Sequence, residues 1–324
     1  MSLIVQKYGG SSVADAEKLL HISHIVKASY DAGNDVIVVV SAQGDVTDRL
    51  IEKAKEIAAQ PSARELDALL ACGEQASAAL TALALEALAV PAVSLNAWQI
   101  PLRTDGVHAD AKIETVGRER VTAELRRRRV AVVAGFQGVD AANDVNTLGR
   151  GGSDYTAVAL AAEFGADECR IYTDVDGVYT ADPRLCPTAR RLPAVSYEDM
   201  YALSRAGAQV LHDKCVALAQ SRGVEPLVLS CAANAAGTRV TAKSAGHGVT
   251  GVTRRVGEGE AYATVTLVGG ALPSLALEKE AFLALNAAEI AIHGLDAAER
   301  SLTLYVERER SREALCALHD ALIR

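Results

Sequence analysis

The chain has 324 residues, with 33 Lys and Arg against 41 Asp and Glu, a formal net charge of −8, half its residues hydrophobic and only 4% aromatic. That length suggests about two domains, at roughly 100–200 residues each. An acidic chain poor in rings is a weak generic partner for phosphate backbones and offers unstacked bases few platforms, so nucleic acid is set aside as a partner.

In chain order, Met1–Lys7 reads as the start of a strand and not as a targeting leader. No continuous apolar run reaches the roughly 18–20 residues that cross a bilayer, so a cytoplasmic protein without a membrane partner is expected. Buried strands are expected at Leu3–Val5, Val36–Val40, Ala92–Leu95, Val130–Ala134 and Cys169–Tyr172. Helices are expected at Ala14–Tyr30, Val46–Ala59, Arg64–Leu88, Ala111–Arg127 and Ser153–Phe164. Such alternation predicts an α/β sandwich around a mostly parallel sheet, with Val36–Val40 as a strand buried on both faces. The run Arg126–Arg129 reads as a solvated helix C-terminus, where cations suit the dipole. Asp176-Gly177 reads as a hairpin turn.

Composition shifts at Ala242–Glu260, rich in Gly, Lys, Thr and Arg, which reads as a linker. Beyond it the pattern is strand Tyr262–Val268, helix Leu277–Asn286, strands Glu289–His293 and Ser301–Val306, and helix Ser311–Ile323. A small α+β module follows, giving domains 1–243 and 258–324. The six cysteines, Cys72, Cys169, Cys186, Cys215, Cys231 and Cys316, form no C-x-x-C pair and read as reduced thiols.

Two glycine-rich turns each join a strand to a helix. Lys7-Tyr8-Gly9-Gly10-Ser11-Ser12 sets a lysine beside two glycines, which let the backbone approach a bound group, and the helix start that follows offers free N–H groups. Gly149-Arg150-Gly151-Gly152-Ser153-Asp154 is a second anion cradle, with an arginine able to fork onto a carboxylate and none of the G-K-[ST] ending of a Walker loop. In an open α/β sheet, such turns meet at the edge where ligands bind. Glu74, in a long Ala/Leu helix, could receive a ligand amine.

Taken with Tyr172–Tyr179 and Ala181–Arg184, these segments resemble the aspartate kinases of the amino acid kinase family over roughly residues 2–240. The matching stretches are KYGGSSV (7–13), SAQGDVTDRL (41–50), LLACGEQ (69–75), AVSLNAWQ (92–99), TDGVH (104–108), GFQGVD (135–140), TLGRGGSDYTA (147–157), IYTDVDGVYTADPR (171–184) and GAQVLH (207–212). The resemblance implies a three-layer sandwich that transfers the γ-phosphoryl group of ATP, with Mg²⁺, to the β-carboxylate of L-aspartate or an analogue. By it, Lys7 with Gly9, Gly10 and Ser11 would hold the transferring phosphate, and Asp154 would orient Lys7. Ser41, Thr47, Glu74, Arg150 and Ser153 would bind the substrate, with Glu74 on its amine and Arg150 on a carboxylate. Thr173, Asp174, Tyr179 and Arg184 would bind the nucleotide, and no side chain is assigned to a metal.

Two departures stand out. Gln209 and Asp213 flank Val210-Leu211-His212, where the family carries a lysine and a proline; Lys214 lies one residue on, and His212 reads as a packing residue. The tail holds one ACT-like module instead of two, and Gly270-Ala271-Leu272-Pro273 replaces the commoner Asp-x-Pro-Gly, so a homodimer through this module is the modest expectation. A kinase of another amino acid or modified aspartate, and a non-catalytic binding subunit, are the competing readings.

Overall fold

The computed structural model describes residues 2–232, 235–243, 248–257 and 259–323. Met1, residues 244–247 of the expected linker, and Glu258 at the head of the expected second domain lie outside the described residues. Two compact units result: residues 1–176 with 218–235, and residues 177–217 with 236–324.

The first unit runs β1 (Leu3–Tyr8), α1 (Ala16–Asp31), β2 (Asp35–Val40), α2 (Val46–Ile57), α3 (Ala63–Ala87), β3 (Ala92–Leu95), β4 (Leu102–Thr104), β5 (Ile113–Val116), α4 (Glu119–Arg126), β6 (Val130–Ala134), β7 (Gln137–Val139), β8 (Val145–Thr147), α5 (Gly152–Phe164) and β9 (Glu168–Thr173). The second opens with β10 (Ala194–Ser196) and α6 (Tyr197–Arg205); α7 (Asp213–Arg222) leads the chain back to the first unit for β11 (Pro226–Ser230). The rest of the second unit is β12 (Thr238–Thr241), β13 (Gly251–Arg255), β14 (Tyr262–Val268), α8 (Leu275–Ala287), β15 (Gly294–Ala298), β16 (Ser301–Glu307) and α9 (Ser311–Leu322).

In the first unit, strands in the order β11-β9-β1-β2-β6-β3 pair in parallel throughout. Strand β2 explains the layering. Val36, Val38 and Val40 join Leu19, Ile22 and Val26 of α1 and Ala78, Ala82 and Leu85 of α3 in one core. Ile37 and Val39 point to the other face by the period of two and are also fully buried, on the side where α5 packs against β1, β2 and β9. A small sheet, β5-β4-β7-β8, flanks this sandwich.

Five expectations need correction, the last of them in the C-terminal sheet. The helix expected at 111–127 starts only at Glu119. Ile113–Val116 forms β5 on β4, and Gly117 closes onto Ile100, whose carbonyl would stand 3.0 Å from any Cβ there. The arginine run does end α4, but it is not simply solvated: Arg127 and Arg129 pair with the buried Glu124, and Arg128 pairs with Asp35 and covers the Tyr30 ring. No hairpin forms at Asp176-Gly177, because both edges of β9 are already taken by β1 and β11. Residues 178–180 bond instead to 190–192, through Leu192 N–H to Val178 C=O and Thr180 N–H to Arg190 C=O. In addition, α3 is long and apolar enough to qualify as a membrane span by composition, which a search for unbroken apolar runs misses. Half of that stretch is buried within the fold, including the charged Asp67 and Glu74.

The second unit is built on the antiparallel sheet β13-β14-β16-β15, with α8 and α9 packed on it through Leu285, Ala281, Leu315 and Leu318. The strand expected at 289–293 is displaced to Gly294–Ala298. Residues 288–290 close α8 instead, with Glu289 at φ 56° and Ile290 N–H bonded to Leu285 C=O, so the apolar Ile290 enters the core as part of the helix cap.

Candidate active site

The parallel register lines up one edge of the first unit. Tyr8 lies opposite Val40 on one side and Tyr172 on the other, and Val40 lies opposite Ala134. The loops that follow β1, β2, β6 and β9 therefore leave the sheet together. Ser41 N–H donates to Tyr8 C=O at 3.1 Å, Gly44 N–H to Gly10 C=O at 3.0 Å and Gly135 N–H to Val40 C=O at 3.0 Å, tying three of them to each other or to the strand ends.

Lys7 is the penultimate residue of β1, not a loop residue. Its Nζ lies 2.6 Å from Asp154 Oδ1 in the first turn of α5, with the two side chains only 9% and 11% exposed. The contact is a close ion pair between two nearly buried side chains. Beyond Lys7 the chain makes a 3-10 turn whose hydrogen bonds begin with Ser12 N–H to Gly9 C=O at 2.9 Å, leaving Gly10 and Ser11 N–H outside that ladder. Gly10 is needed sterically, since a Cβ there would stand 2.5 Å from Ala42 C=O; one on Gly9 would occupy the space 3.6 Å from Lys7 Nζ.

The second glycine-rich turn has Gly149 and Gly151 at φ 76° and 69°, in the left-handed region. Between them Arg150 is exposed and has no side-chain partner among the described residues. Helix α5 then begins with buried Ser153, which sits so close to the β6 loop that a Cβ on Gly135 would meet its Oγ at 2.7 Å.

Glu74 is 3% exposed on α3. Its Oε1 accepts from Ala42 N–H at 2.9 Å, and its Oε2 is buried with no donor. Burial pushes this carboxyl up to about 7, against the pull of the Ala42 N–H. Gly73 permits the approach, since a Cβ there would stand 2.8 Å from Ala42 Cβ. An orphaned buried carboxylate oxygen at a ligand-binding edge is a fit for a cationic group.

The first unit thus brings together Lys7, Gly9, Gly10, Ser11, Asp154, Glu74 and, on the loop shared with Ala42, Ser41. Thr47 lies partly buried on α2, Thr173 ends β9 and Asp174 follows it, with Thr173 Oγ1 donating to Asp174 Oδ1 at 3.0 Å. Tyr179 and Arg184 belong to the second unit. There Tyr179 bridges to Arg191, and Arg184 is held by Asp182 at 2.9 Å. Asp213, also in that unit, lies 2.8 Å from His212 Nδ1 and 3.6 Å from Arg205 Nη1. Arg205 therefore sets a cation against the anion that the sequence introduces.

Sequence reasoning missed one network. Asp67 on α3, 1% exposed, accepts from Thr147 Oγ1 at 2.5 Å and Ala109 N–H at 3.0 Å, and lies 2.7 Å from His108 Nδ1. It ties the 104–111 loop and β8 together just before the second glycine-rich turn. Only the buried helical position of Asp67 among apolar neighbours could have flagged it. Asp67→Asn keeps the shape but turns an acceptor toward its donors into a donor. It is expected to destabilise the fold by about 1–3 kcal/mol, read as a shift in urea midpoint at unchanged slope.

Residues 2–230 match the amino acid kinase family. The chain is 48% identical over 241 residues to the aspartokinase of Mycobacterium tuberculosis (strain ATCC 25618 / H37Rv), covering 74% of this chain and 57% of that relative. It therefore spans somewhat over half the length of the curated relatives it matches. Among solved structures, it aligns with the aspartate kinase of Synechocystis at 27% identity and a TM-score of 0.68, covering 99% of this chain and 69% of that one. It shares the fold of E. coli aspartokinase III solved with aspartate and ADP, at 24% identity and a TM-score of 0.69, over 99% of this chain and 84% of that one.

Proposed function

This chain belongs to the amino acid kinase family, and we propose that it phosphorylates the β-carboxylate of L-aspartate with ATP. The observation that carries the reading is the convergence of three features at one sheet edge. These are a buried Lys7–Asp154 pair beside a glycine cradle, an unpartnered arginine at the mouth of α5, and a buried carboxylate oxygen without a donor. They suit a phosphoryl group, a carboxylate and an ammonium, and an amino acid acceptor joins the last two.

In this reading Gly10 and Ser11 N–H and the Lys7 ammonium receive the γ-phosphoryl group and stabilise the charge that spreads over its oxygens during in-line transfer. Asp154 fixes Lys7. Glu74 holds the acceptor's ammonium, Arg150 forks onto a carboxylate, and Ser41, Thr47 and Ser153 bind the remaining polar edges. The attacking β-carboxylate is already ionised at neutral pH, so the site needs no general base. Thr173 and Asp174 are assigned to the nucleotide. Mg²⁺ would travel on the phosphates and neutralise their charge; the buried carboxylate of the cradle, Asp154, is engaged by Lys7. Pairing of two copies is proposed through the second unit, where Leu275, Phe282 and Leu283 expose an apolar face of α8.

An acceptor panel read by ADP release tests the substrate. Aspartate should be turned over, N-acetylaspartate, which has no ammonium for Glu74, should not, and preference for another amino acid would move the assignment. Arg150→Ala should raise the acceptor KM by about 10–100-fold, the worth of a charge-assisted pair, and leave the KM for ATP unchanged. A rise confined to ATP would remove Arg150 from the acceptor site.

A further inference from the structure

Away from the kinase chemistry, the second unit gathers three metal-ligating side chains from two segments. Cys186 comes from the loop after Arg184; His319 and Asp320 come from α9. Ligand atoms of Cys186, His319 and Asp320 all lie within 4.8 Å of one another. His319 Nδ1 is 3.2 Å from Asp320 Oδ1, and Thr188 Oγ1 completes the group at 2.6 Å from Asp320 Oδ1 and 3.2 Å from both Cys186 Sγ and His319 Nδ1. The Cys316 thiol, one turn earlier on α9, donates to Leu185 C=O at 3.4 Å.

The separations matter. Spokes of about 2.0–2.3 Å around a tetrahedral zinc ion require neighbouring ligands roughly 3.2–3.8 Å apart. The 3.2 Å between His319 Nδ1 and Asp320 Oδ1 has the length of such an edge as well as of a hydrogen bond. The outer shell is also in place. His319 is 2% exposed and its Nε2 lies 2.9 Å from Thr180 Oγ1, the kind of partner that fixes a ligating imidazole and leaves the other nitrogen for the ion.

We propose that Cys186, His319 and Asp320 form a binding site for a thiophilic divalent cation of the zinc type. This engages one of the six cysteines expected as reduced thiols. Binding would release the Cys186 thiol proton and clip the 181–190 loop, already packed through Leu185 and Cys186 into the core under α9, to that helix.

Cobalt(II) is the probe. The full chain is reduced, stripped with a chelator, freed of the chelator and titrated with cobalt(II), then with zinc as competitor. The expected result is a single saturable equivalent with thiolate-to-cobalt charge-transfer absorption, displaced by zinc. Cys186→Ser should abolish that absorption. Asp320→Asn, at a side chain 57% exposed and therefore safe for folding, should weaken binding at least about 10-fold. Thr180→Val, which removes the outer partner along with the acceptor of Arg190 N–H, should weaken it by about 10–100-fold. Absence of the charge-transfer band in the folded chain overturns the site, as does a band that survives in Cys186→Ser. A Cys186–Cys316 disulfide found by mass spectrometry, with no metal uptake after reduction, would overturn it in favour of a redox pair.

Discussion

Lys7→Met lowers turnover by at least about 10²–10³-fold, the loss that follows removal of a preorganised donor to a developing charge. The Lys7 ammonium is the cation placed beside the glycine cradle, and methionine keeps its stem while deleting the charge. The structure changes what this variant does to stability. Read as a loop residue, Lys7 would be dispensable to the fold. On β1, paired with a nearly buried Asp154, it leaves behind an uncompensated carboxylate, a situation that costs about 3–5 kcal/mol. The double variant Lys7→Met/Asp154→Asn removes both charges, so it recovers most of the stability and none of the activity. A double variant that regained turnover would show that Lys7 serves only to neutralise Asp154.

Glu74 predicts a pH dependence. Its carboxyl, held at about 7 by burial, must be ionised to accept an ammonium, so acceptor binding expels a proton whenever the pH lies below that value. The acceptor KM should rise roughly tenfold per unit as pH falls below about 7 and level off above it. Stability runs the other way. The folded protein holds this proton more tightly than the unfolded chain does, so the contribution is full below the unfolded value of about 4.5 and is lost as pH rises through about 7. That difference is worth about 3 kcal/mol. Glu74→Gln should flatten both profiles while raising the acceptor KM at pH 8. An acceptor KM in the wild type that is independent of pH between 6 and 8 would detach Glu74 from the ammonium.

Much of the fold could be read from the sequence because buried parallel strands write themselves as unbroken apolar runs; Ala92–Leu95 and Val130–Ala134 occur where the pattern places them. The short strands of the flanking sheet did not announce themselves. At three residues each, β4, β7 and β8 are set by pairing partners and not by local pattern. The displaced β15 has the same origin, since an apolar Ile290 serves a helix cap as well as a strand. At the site, the two glycine turns were legible locally because their backbone needs only glycine. The pairing of Lys7 with Asp154 joins residues 147 positions apart, and no spacing rule reports it. The resemblance to known kinases supplied that pair, and the fold supplied the register that makes it physical. Asp67 escaped both routes, because a satisfied buried acid looks from sequence like any helical Asp.

The central claim is tested most directly by trapping the product. With ATP, Mg²⁺, L-aspartate and hydroxylamine, a β-carboxylate kinase forms an acyl phosphate that hydroxylamine converts to a coloured hydroxamate. The account predicts a signal that requires aspartate and ATP together and disappears in Lys7→Met. A folded, nucleotide-binding protein that gives no hydroxamate from aspartate would contradict it.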